Sequence, residues 1–365
     1  MSFTIRGIGT AVPDAAVTQD ESRRVAFALG GEAVEGASWL NVVYANCGVR
    51  TRYQAIGQPA LVDLLTGSRI SGSPFMPDRE NPRGPTTETR MRMYAESAPK
   101  LAVEAATMAL SHAAFDPGSI THIVTVSCTG FVAPGLDHAL IRGLGLSPTI
   151  ERVHVGFMGC HGALNGIKVA RAFTNADPTA RVLLVAVELC SLHYYMGEEP
   201  GKIVANALFA DGAAAIVADG ADPEDGWQVA ATGSCLLPDS AKDMGWTVGD
   251  HGFEMTLSKR IPDLIGKHLR EWLSGWLANS GHSIESIGSW AIHPGGPKIV
   301  LSVQSSLGLT AADLAPALGV LSDFGNMSSP TVLFILDRMR QSAAPRPCVM
   351  LGFGPGLTAE AALVT

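Results

Sequence analysis

Apolar residues along this 365-residue chain follow two alternating patterns. Short runs rich in β-branched residues predict strands, and longer alanine-rich or amphipathic runs between them predict helices. The clearest strands are predicted at residues 120–127, 181–188, 213–218 and 348–353. The clearest helices are predicted at residues 92–114, 137–144, 261–279 and 329–341. Strands that alternate with helices are typical of parallel sheets covered by helices, so the pattern predicts an α/β fold.

The order of these elements recurs in the second part of the chain at nearly constant spacing. In the first part an apolar run ends at Cys128, and Cys160 follows 32 residues later. In the second part a similar run ends at His293, and Asn326 follows 33 residues later. An internal duplication would place Cys160 and Asn326 on equivalent strand-to-helix turns, so that these polar groups converge near a pseudo-twofold axis.

The openings of the two parts also correspond, because residues 7–14 resemble residues 230–239. We therefore predict two similar halves, residues 1–225 and residues 226–365. Residues 54–89 have no counterpart in the second half and are rich in Pro, Gly and Arg. This segment predicts an irregular excursion, most simply a surface loop without function.

Composition narrows the class of protein. With 47% hydrophobic and 16% charged residues, the chain has enough apolar residues for an extensive core. A net charge of -8 gives no reason to expect nucleic-acid binding. No run of about 18 apolar residues occurs, and no basic leader precedes an apolar stretch, so neither a membrane span nor secretion is expected. The six cysteines lack Cys-x-x-Cys spacing, which favours a reducing cytoplasm.

Cys160 is the strongest candidate for chemistry. It lies between Gly159 and Gly162, and the next residues, 167–173, predict a helix. The N–H groups and the dipole at a helix N-terminus favour the thiolate, which is the nucleophilic form of cysteine. The sequence therefore predicts covalent catalysis at Cys160. Three other cysteines lie in apolar runs and are predicted to be core residues: Cys190, Cys235 and Cys348.

Five motifs, in a fixed order, carry a family resemblance. They are GCHG at 159–162, ALFADGAAA at 207–215, HPGGP at 293–297, GNMSS at 325–329 and GFGPGLT at 352–358. Together they resemble the type III polyketide synthases, the chalcone and stilbene synthase family. The resemblance implies the thiolase fold, a five-layered αβαβα architecture of two similar halves, and a homodimer.

The resemblance also implies roles for four residues. Cys160 takes the nucleophile position, and His293, which can form an ion pair with it, and Asn326 take the other two positions of the catalytic triad. With malonyl-CoA bound, His293 and Asn326 donate to its thioester oxygen and stabilise the enolate left by decarboxylation. Phe209 takes the position of the gatekeeper between the acyl-CoA entrance and the cavity. The substrates would be CoA thioesters, with no metal or other cofactor.

The cavity departs from the plant pattern. The residues that the resemblance places at the cavity are Cys128, Ala133, Trp246, Met255, Ser328, Gly354 and Pro355. Ala133 takes the position whose side chain reaches into the partner's cavity in the plant enzymes. Cys128 and Ala133 are small and leave room for an apolar tunnel, whereas Trp246 narrows the floor. This combination resembles bacterial alkylresorcinol and alkylpyrone synthases, so a fatty acyl-CoA starter is expected. The number of extensions and the choice between lactone and aldol closure stay open.

The CoA phosphates need cations other than those of the plant enzymes. The basic residues of the plant pattern fall here on apolar positions, which are Val42, Ala45 and Val49. Arg50, Arg52 and Lys298 are candidate replacements.

Three alternatives compete with this interpretation. A β-ketoacyl-carrier-protein synthase III also uses Cys, His and Asn but adds a single ketide, and whether a carrier protein delivers substrate stays open. A papain-like hydrolase uses a similar triad, although the duplicated α/β pattern argues against it. A non-catalytic partner subunit would keep the fold without needing an intact triad.

Overall fold

A computed structural model describes residues 3–30, 34, 37–76, 82–197, 199–221 and 227–365. These residues contain eleven α-helices and thirteen β-strands. The helices are α1 Gln19–Gly30, α2 Ser38–Asn46, α3 Gln58–Thr66, α4 Thr87–Ala113, α5 Leu136–Leu144, α6 Gly162–Ala176, α7 Pro200–Leu208, α8 Ile261–Ala278, α9 Pro297–Leu307, α10 Ala311–Phe324 and α11 Thr331–Gln341. The strands are β1 Thr4–Ala11, β2 Ala16–Thr18, β3 Thr51–Tyr53, β4 His122–Ser127, β5 Glu151–Gly156, β6 Arg181–Leu189, β7 Asp211–Asp219, β8 Trp227–Leu236, β9 Met244–Gly249, β10 Gly252–Leu257, β11 Ser289–Ile292, β12 Cys348–Gly354 and β13 Thr358–Val364.

Nine strands form one mixed sheet in the order β11-β12-β13-β8-β1-β7-β6-β4-β5. The strands of the first half of the chain and those of the second half meet at β1 and β8. These two strands pair at two positions, Thr4 with Gln228 and Ile5 with Trp227. Two antiparallel pairs, β2 with β3 and β9 with β10, stand apart from this sheet.

Helices form three layers around the two halves of the sheet. α4 packs on β1, β6 and β7, whereas α6 and α11 contact strands from both halves. α8 covers the outer side of the second half, where Trp276 lies directly over Gly233 of β8. Leu269 and Leu273 of α8 are fully buried, and each such side chain contributes about 1.5–3 kcal/mol to folding. This stacking confirms the predicted five-layered αβαβα architecture of the thiolase fold.

The predicted repeat is visible in the element order. β4, α6, β6 and β7 of the first half correspond to β11, α11, β12 and β13 of the second. All eight elements that the apolar pattern predicts are present, with shifted ends. α4 begins at Thr87, earlier than predicted, because the side chain of Thr86 accepts a hydrogen bond from the N–H of Thr89 and caps the helix. Among the described helices, none has the length and apolarity needed to cross a bilayer.

One prediction was wrong in part. The segment 54–89 is not wholly irregular, because it contains α3 and the start of α4. Pro59 near the start of α3 and Gly67, which caps its end with φ +75°, are the local signals for that helix. Residues 77–81 of this segment lie outside the described residues.

Candidate active site

The three residues of the predicted triad line one cavity. Its empty space, counted together with its opening to solvent, is about 1160 Å³. Cys160 lies in the turn before α6, His293 directly after β11, and Asn326 in the turn before α11. Because these turns occupy corresponding positions in the two halves, the duplication brings the three side chains together.

The turn that carries Cys160 depends on a glycine. Residues Gly159–His161 form a single 3-10 turn, and Gly159 has φ +70°. A Cβ atom at Gly159 would lie 2.6 Å from Cδ of Pro355, which lines the same cavity. Glycine therefore permits both the left-handed backbone and the close packing of Pro355 beside the nucleophile.

Burial dominates the environment of Cys160. Burial, with a smaller contribution from the charge of Glu188, raises the pKa of the Cys160 thiol to about 11. The Ser328 hydroxyl and the Asn326 amide near the sulfur lower the pKa but do not offset burial. Desolvation therefore outweighs the N–H groups of the turn for Cys160 alone, and the thiolate that the sequence predicts stays a prediction.

His293 is almost fully buried, and neither of its ring nitrogens has a hydrogen-bond partner among the described residues. Burial lowers the pKa of His293 to about 3, so the imidazole is neutral. Burial disfavours an isolated charge on either group. The ion pair between Cys160 and His293 that the resemblance implies stays a prediction.

Asn326 is held rigidly with its amide nitrogen unused. Its backbone N–H donates to the carbonyl of Leu208 over 2.9 Å, and its carbonyl accepts from the N–H of Ala210 over 2.8 Å. Its Oδ1 accepts from the N–H of Ser328 over 2.8 Å, whereas Nδ2 has no partner. His293 and Asn326 thus offer unused hydrogen-bonding groups in the cavity of Cys160, an arrangement suited to binding a substrate oxygen.

Phe209 ends α7 and lines the cavity. It forms an isolated β-bridge with Asn326, so the predicted gatekeeper and a triad residue are directly linked. Its carbonyl accepts from Nη1 of Arg52 over 3.0 Å.

Of the three cations considered for CoA, Arg52 was a wrong candidate. Its side chain is fully buried and donates to the carbonyls of Asn206 and Ala207 as well as to that of Phe209, so it cannot reach a phosphate at the surface. Arg50 is exposed and paired with Asp323 over 2.7 Å.

Lys298, the third candidate, is exposed at the start of α9. Its neighbour Ile299 lines the cavity, as does Gly295 just before the helix. Lys298 itself lines a separate surface pocket, which it forms with Pro262 and Ser302 among others.

The β9–β10 hairpin forms an aromatic wall. Trp246 and Met255 both line the cavity, as the resemblance implies, and they pair across the hairpin. The ring of Trp246 stacks on Phe253 at 5.1 Å, and Phe253 stacks on His193 at 4.1 Å.

His193 is a cavity residue that the sequence interpretation missed. Its Nε2 lies 2.5 Å from the carbonyl of Thr129, and its Nδ1 lies 3.0 Å from the N–H of Phe253. These contacts require Nε2 to donate and Nδ1 to accept, so both nitrogens are engaged. Burial lowers the pKa of His193 to about 4, which keeps the ring neutral. No sequence motif surrounds His193. Only its position after the buried strand β6 could have indicated that it lines the cavity.

Other predicted residues occupy different places. Cys128 and Ser328 line the cavity, with Sγ and Oγ 3.8 Å apart. Ala133 is exposed and is not part of the cavity wall of its own chain. Gly354 lies behind the wall, where a Cβ would come within 2.4 Å of the His161 ring.

Two predictions about residues away from the triad need correction. Cys190 is not a simple core residue, because it lines the cavity; the turn Cys190–His193 carries it there. Gln54, in the segment expected to lack function, lines the cavity as well. Cys348 is fully buried, as predicted, and Cys235 is partly exposed.

Glu188 is a fully buried carboxylate next to the cavity. It accepts hydrogen bonds from the N–H groups of Cys128 and Thr129 and from the hydroxyls of Thr129 and Ser329. Burial raises its pKa even so. Among the described residues, no group of three or more His, Cys, Asp or Glu is placed to hold a metal ion.

Comparisons with known proteins agree with this geometry. Residues 2–223 match the family model described as "Chalcone and stilbene synthases, N-terminal domain", and residues 228–365 match the corresponding "C-terminal domain". The solved structure of PKS-I from the brown alga Ectocarpus siliculosus superposes with a TM-score of 0.91 at 30% identity, covering 100% of this chain and 98% of that one.

Two relatives illustrate the range of similar proteins. "Alpha-pyrone synthesis polyketide synthase-like Pks18" from Mycobacterium tuberculosis is 35% identical over 287 residues, which cover 76% of this chain and 73% of that protein. Bisdemethoxycurcumin synthase from Oryza sativa subsp. japonica is 31% identical over 381 residues, which cover 99% and 91% respectively.

Proposed function

This chain belongs to the chalcone and stilbene synthase family, and from that premise we propose that it makes alkyl α-pyrones from a fatty acyl-CoA and malonyl-CoA. As a member of the family it is a type III polyketide synthase, an acyltransferase that uses malonyl-CoA. The observation that carries the proposal is the placement of unpartnered polar atoms of His293 and Asn326 in the cavity of the Cys160 thiol.

In the loading step, His293 accepts the proton of Cys160. Two histidines line the cavity, but both nitrogens of His193 are engaged, which leaves His293 to act as the base. The sulfur attacks the carbonyl carbon of the starter thioester, and the CoA thiolate leaves and takes up the proton. Transfer of a proton between two groups of one cavity creates an ion pair rather than an isolated buried charge, which burial would disfavour far more.

In the extension step, the two donors hold malonyl-CoA. His293 and Asn326 donate to its thioester oxygen, and loss of CO₂ leaves an enolate whose negative charge they stabilise. One such donor is worth about 3 kcal/mol of transition-state stabilisation. The enolate carbon attacks the acyl group on Cys160, the carbon–sulfur bond breaks, and a β-ketoacyl-CoA is released from the regenerated thiolate.

A fatty acyl starter is supported by the apolar part of the wall. This part is formed by Met244, Trp246, Met255, Leu257 and Phe353. Each buried methylene contributes about 0.8 kcal/mol, so kcat/KM should rise with starter length until the cavity is filled. A rate independent of chain length would contradict this starter class.

The hydrogen bonds that Glu188 accepts support lactone closure of the product. Aldol closure of a resorcinol requires release of the thioester, which needs a group to activate water. Glu188 is a buried carboxylate bonded to the N–H of Cys128, and its oxygens already accept from five donors, the fifth being the Ser127 hydroxyl at 3.5 Å. Because these hydrogen bonds occupy the carboxylate, it is not available to activate water. Attack of an enol oxygen of the chain on the thioester is then the simpler route, and it gives a pyrone.

For CoA binding we propose Lys298 as the cation and Phe209 as the gatekeeper. Lys298 is exposed, and no ion pair within the described residues engages it. A flexible ammonium group at this position can contact a phosphate without a fixed geometry. Phe209 would separate the entrance from the triad.

We also propose a homodimer in which the edge strand β5 pairs with its copy. β5 pairs with β4 on one side, and its other edge is free in the described chain. Four apolar side chains near this edge are exposed: Phe131, Val153, Phe157 and Met158. Ala133 would face the cavity of the partner. The division at residues 225 and 226 and a cytoplasmic location, which six free cysteines favour, remain proposals.

The proposal is tested with purified protein, labelled malonyl-CoA and a series of saturated acyl-CoA starters, with products identified by mass spectrometry. Triketide or tetraketide α-pyrones that disappear in Cys160→Ala would support it. One condensation per starter would favour the synthase III alternative, and resorcinols would contradict lactone closure.

A further inference from the structure

Gln54 lies in the cavity wall and, like His293 and Asn326, has a buried polar atom without a hydrogen-bond partner among the described residues. Its side chain is 2% exposed, and Oε1 has no hydrogen-bond partner among the described residues. Of the described residues that line the cavity, three carry buried side-chain polar atoms without a partner, and the other two are His293 and Asn326. A buried amide without a partner destabilises the free protein, so its presence in a binding cavity points to a ligand.

The backbone around Gln54 is fixed on both sides. Its N–H donates to the carbonyl of Ala15 over 3.0 Å. The N–H of Ala55 donates to Oδ2 of Asp211 over 2.6 Å, and Asp211 also accepts from the N–H of Ser191 over 2.7 Å. The side chain is therefore presented by a rigid frame that joins the turn Cys190–His193 to the start of β7.

Polar neighbours of Gln54 are committed to other groups. The side-chain amide of Asn206 accepts from the N–H of Tyr195 over 3.0 Å and donates to its carbonyl over 2.9 Å. Asp211 is bonded by Ser191 and Ala55. Neither group donates to Oε1 of Gln54, so this oxygen is available to a molecule in the cavity.

We propose that Gln54 forms a second polar subsite, which hydrogen-bonds an oxygen atom of the acyl chain bound in the cavity. The unpartnered atom of the carboxamide is an acceptor, so it suits a hydroxyl or the enol form of a keto group, either of which can donate. A single hydrogen bond in an otherwise apolar wall discriminates strongly, because the analogue without the oxygen leaves the amide unpaired. The inference rests on the proposed function. The oxygen can belong to a hydroxyl of the starter or to an enol of the growing chain.

The test compares the wild type with Gln54→Met, which keeps the length of the side chain and removes its polar atoms. Ile56→Met, at a buried core position two residues away, is the control for repacking. The first arm measures kcat/KM for saturated and ω-hydroxy acyl-CoA starters of equal length. If the starter carries the oxygen, the wild type prefers one hydroxy starter by about tenfold, and only Gln54→Met loses that preference.

The second arm uses saturated starters and counts extensions. If the growing chain carries the oxygen, only Gln54→Met changes the ratio of triketide to tetraketide by about tenfold.

Unfolding experiments separate binding from a structural role. Removing an unpartnered oxygen should leave the Tm of Gln54→Met unchanged or higher, whereas a clear fall would overturn the proposal. Unchanged preferences in both arms would overturn it as well. If the wild type extends no starter, the proposed function fails, and calorimetry of the same starter pairs tests the subsite alone: equal affinities for hydroxy and saturated starters would reject it.

Discussion

His293 and Asn326 lower the stability of the substrate-free protein and, for the same reason, are ready to bind a substrate. His293 and Asn326 are buried with polar atoms unpaired, a state that costs about 1–3 kcal/mol for each group. The same atoms are free to contact a substrate oxygen without first breaking a hydrogen bond. This explains why the triad residues, rather than the well-bonded Glu188 and His193, should respond most to substrate.

Replacing the donors should separate decarboxylation from loading. We expect Asn326→Leu, which cannot donate, to slow release of CO₂ from malonyl-CoA by about 10²–10³-fold. Formation of acyl-Cys160 from a starter should change far less, because that step does not use the enolate contacts. Cys160→Ala should show the reverse pattern. Assays with ¹⁴C-malonyl-CoA and mass spectrometry of the intact protein check both, and equal loss of both steps in Asn326→Leu would contradict the assignment.

His293 should also make the protein sensitive to acid. Its pKa is about 3 in the folded state, against 6.5 for an ordinary histidine, so between these values the unfolded chain binds more protons. Stability therefore falls as the pH drops below 6.5, by about 2 kcal/mol at pH 5 for this group alone. We expect His293→Gln to lose less stability than the wild type between pH 8 and pH 5, as measured by urea unfolding. His138→Gln, at an exposed histidine of α5, should behave like the wild type.

Among the helices and strands, the sequence predicted the elements that occur in both halves. It missed cavity residues on connections that occur only once. Strand and helix periods recur in both halves, so the elements around Cys160 and Asn326 could be placed by comparing the halves. Gln54 and His193 lie on connections without a counterpart or a motif, and they reach the cavity through tertiary contacts. The protonation states of the triad depend on burial, which no spacing along the chain reports.

The end of α7 provides a test of the correction for Arg52. The Arg52 guanidinium donates to three backbone carbonyls within residues 206–209, next to the gatekeeper, and a lysine cannot match this fork. We expect Arg52→Lys to lower the free energy of unfolding by about 3 kcal/mol, because buried carbonyls lose their donors. Lys298→Ala should leave stability within about 0.5 kcal/mol and raise KM for CoA thioesters. Urea unfolding and steady-state kinetics check both, and a stable Arg52→Lys with a raised KM would restore Arg52 as a CoA ligand.

At the scale of the whole molecule, β5 is the edge strand at one end of the nine-stranded sheet. A free edge strand flanked by exposed apolar side chains is prone to pair with another chain. Pairing of two β5 strands would continue the sheet through the dimer and bury Phe131, Phe157 and Met158. It would also explain why Ala133 is exposed in one chain although the resemblance assigns it to a cavity.

A charge on this edge should therefore produce monomers. Val153 lies in the middle of β5 and is 38% exposed, so Val153→Glu costs little in the isolated chain. In a β5–β5 pair the two copies would bring carboxylates close together in an apolar interface, a cost of several kcal/mol. Val62→Glu, at a 46% exposed position on α3, should leave the dimer intact. Sedimentation of both variants and the wild type decides the question: a dimeric Val153→Glu would place the interface elsewhere, and a monomeric wild type would reject the dimer itself.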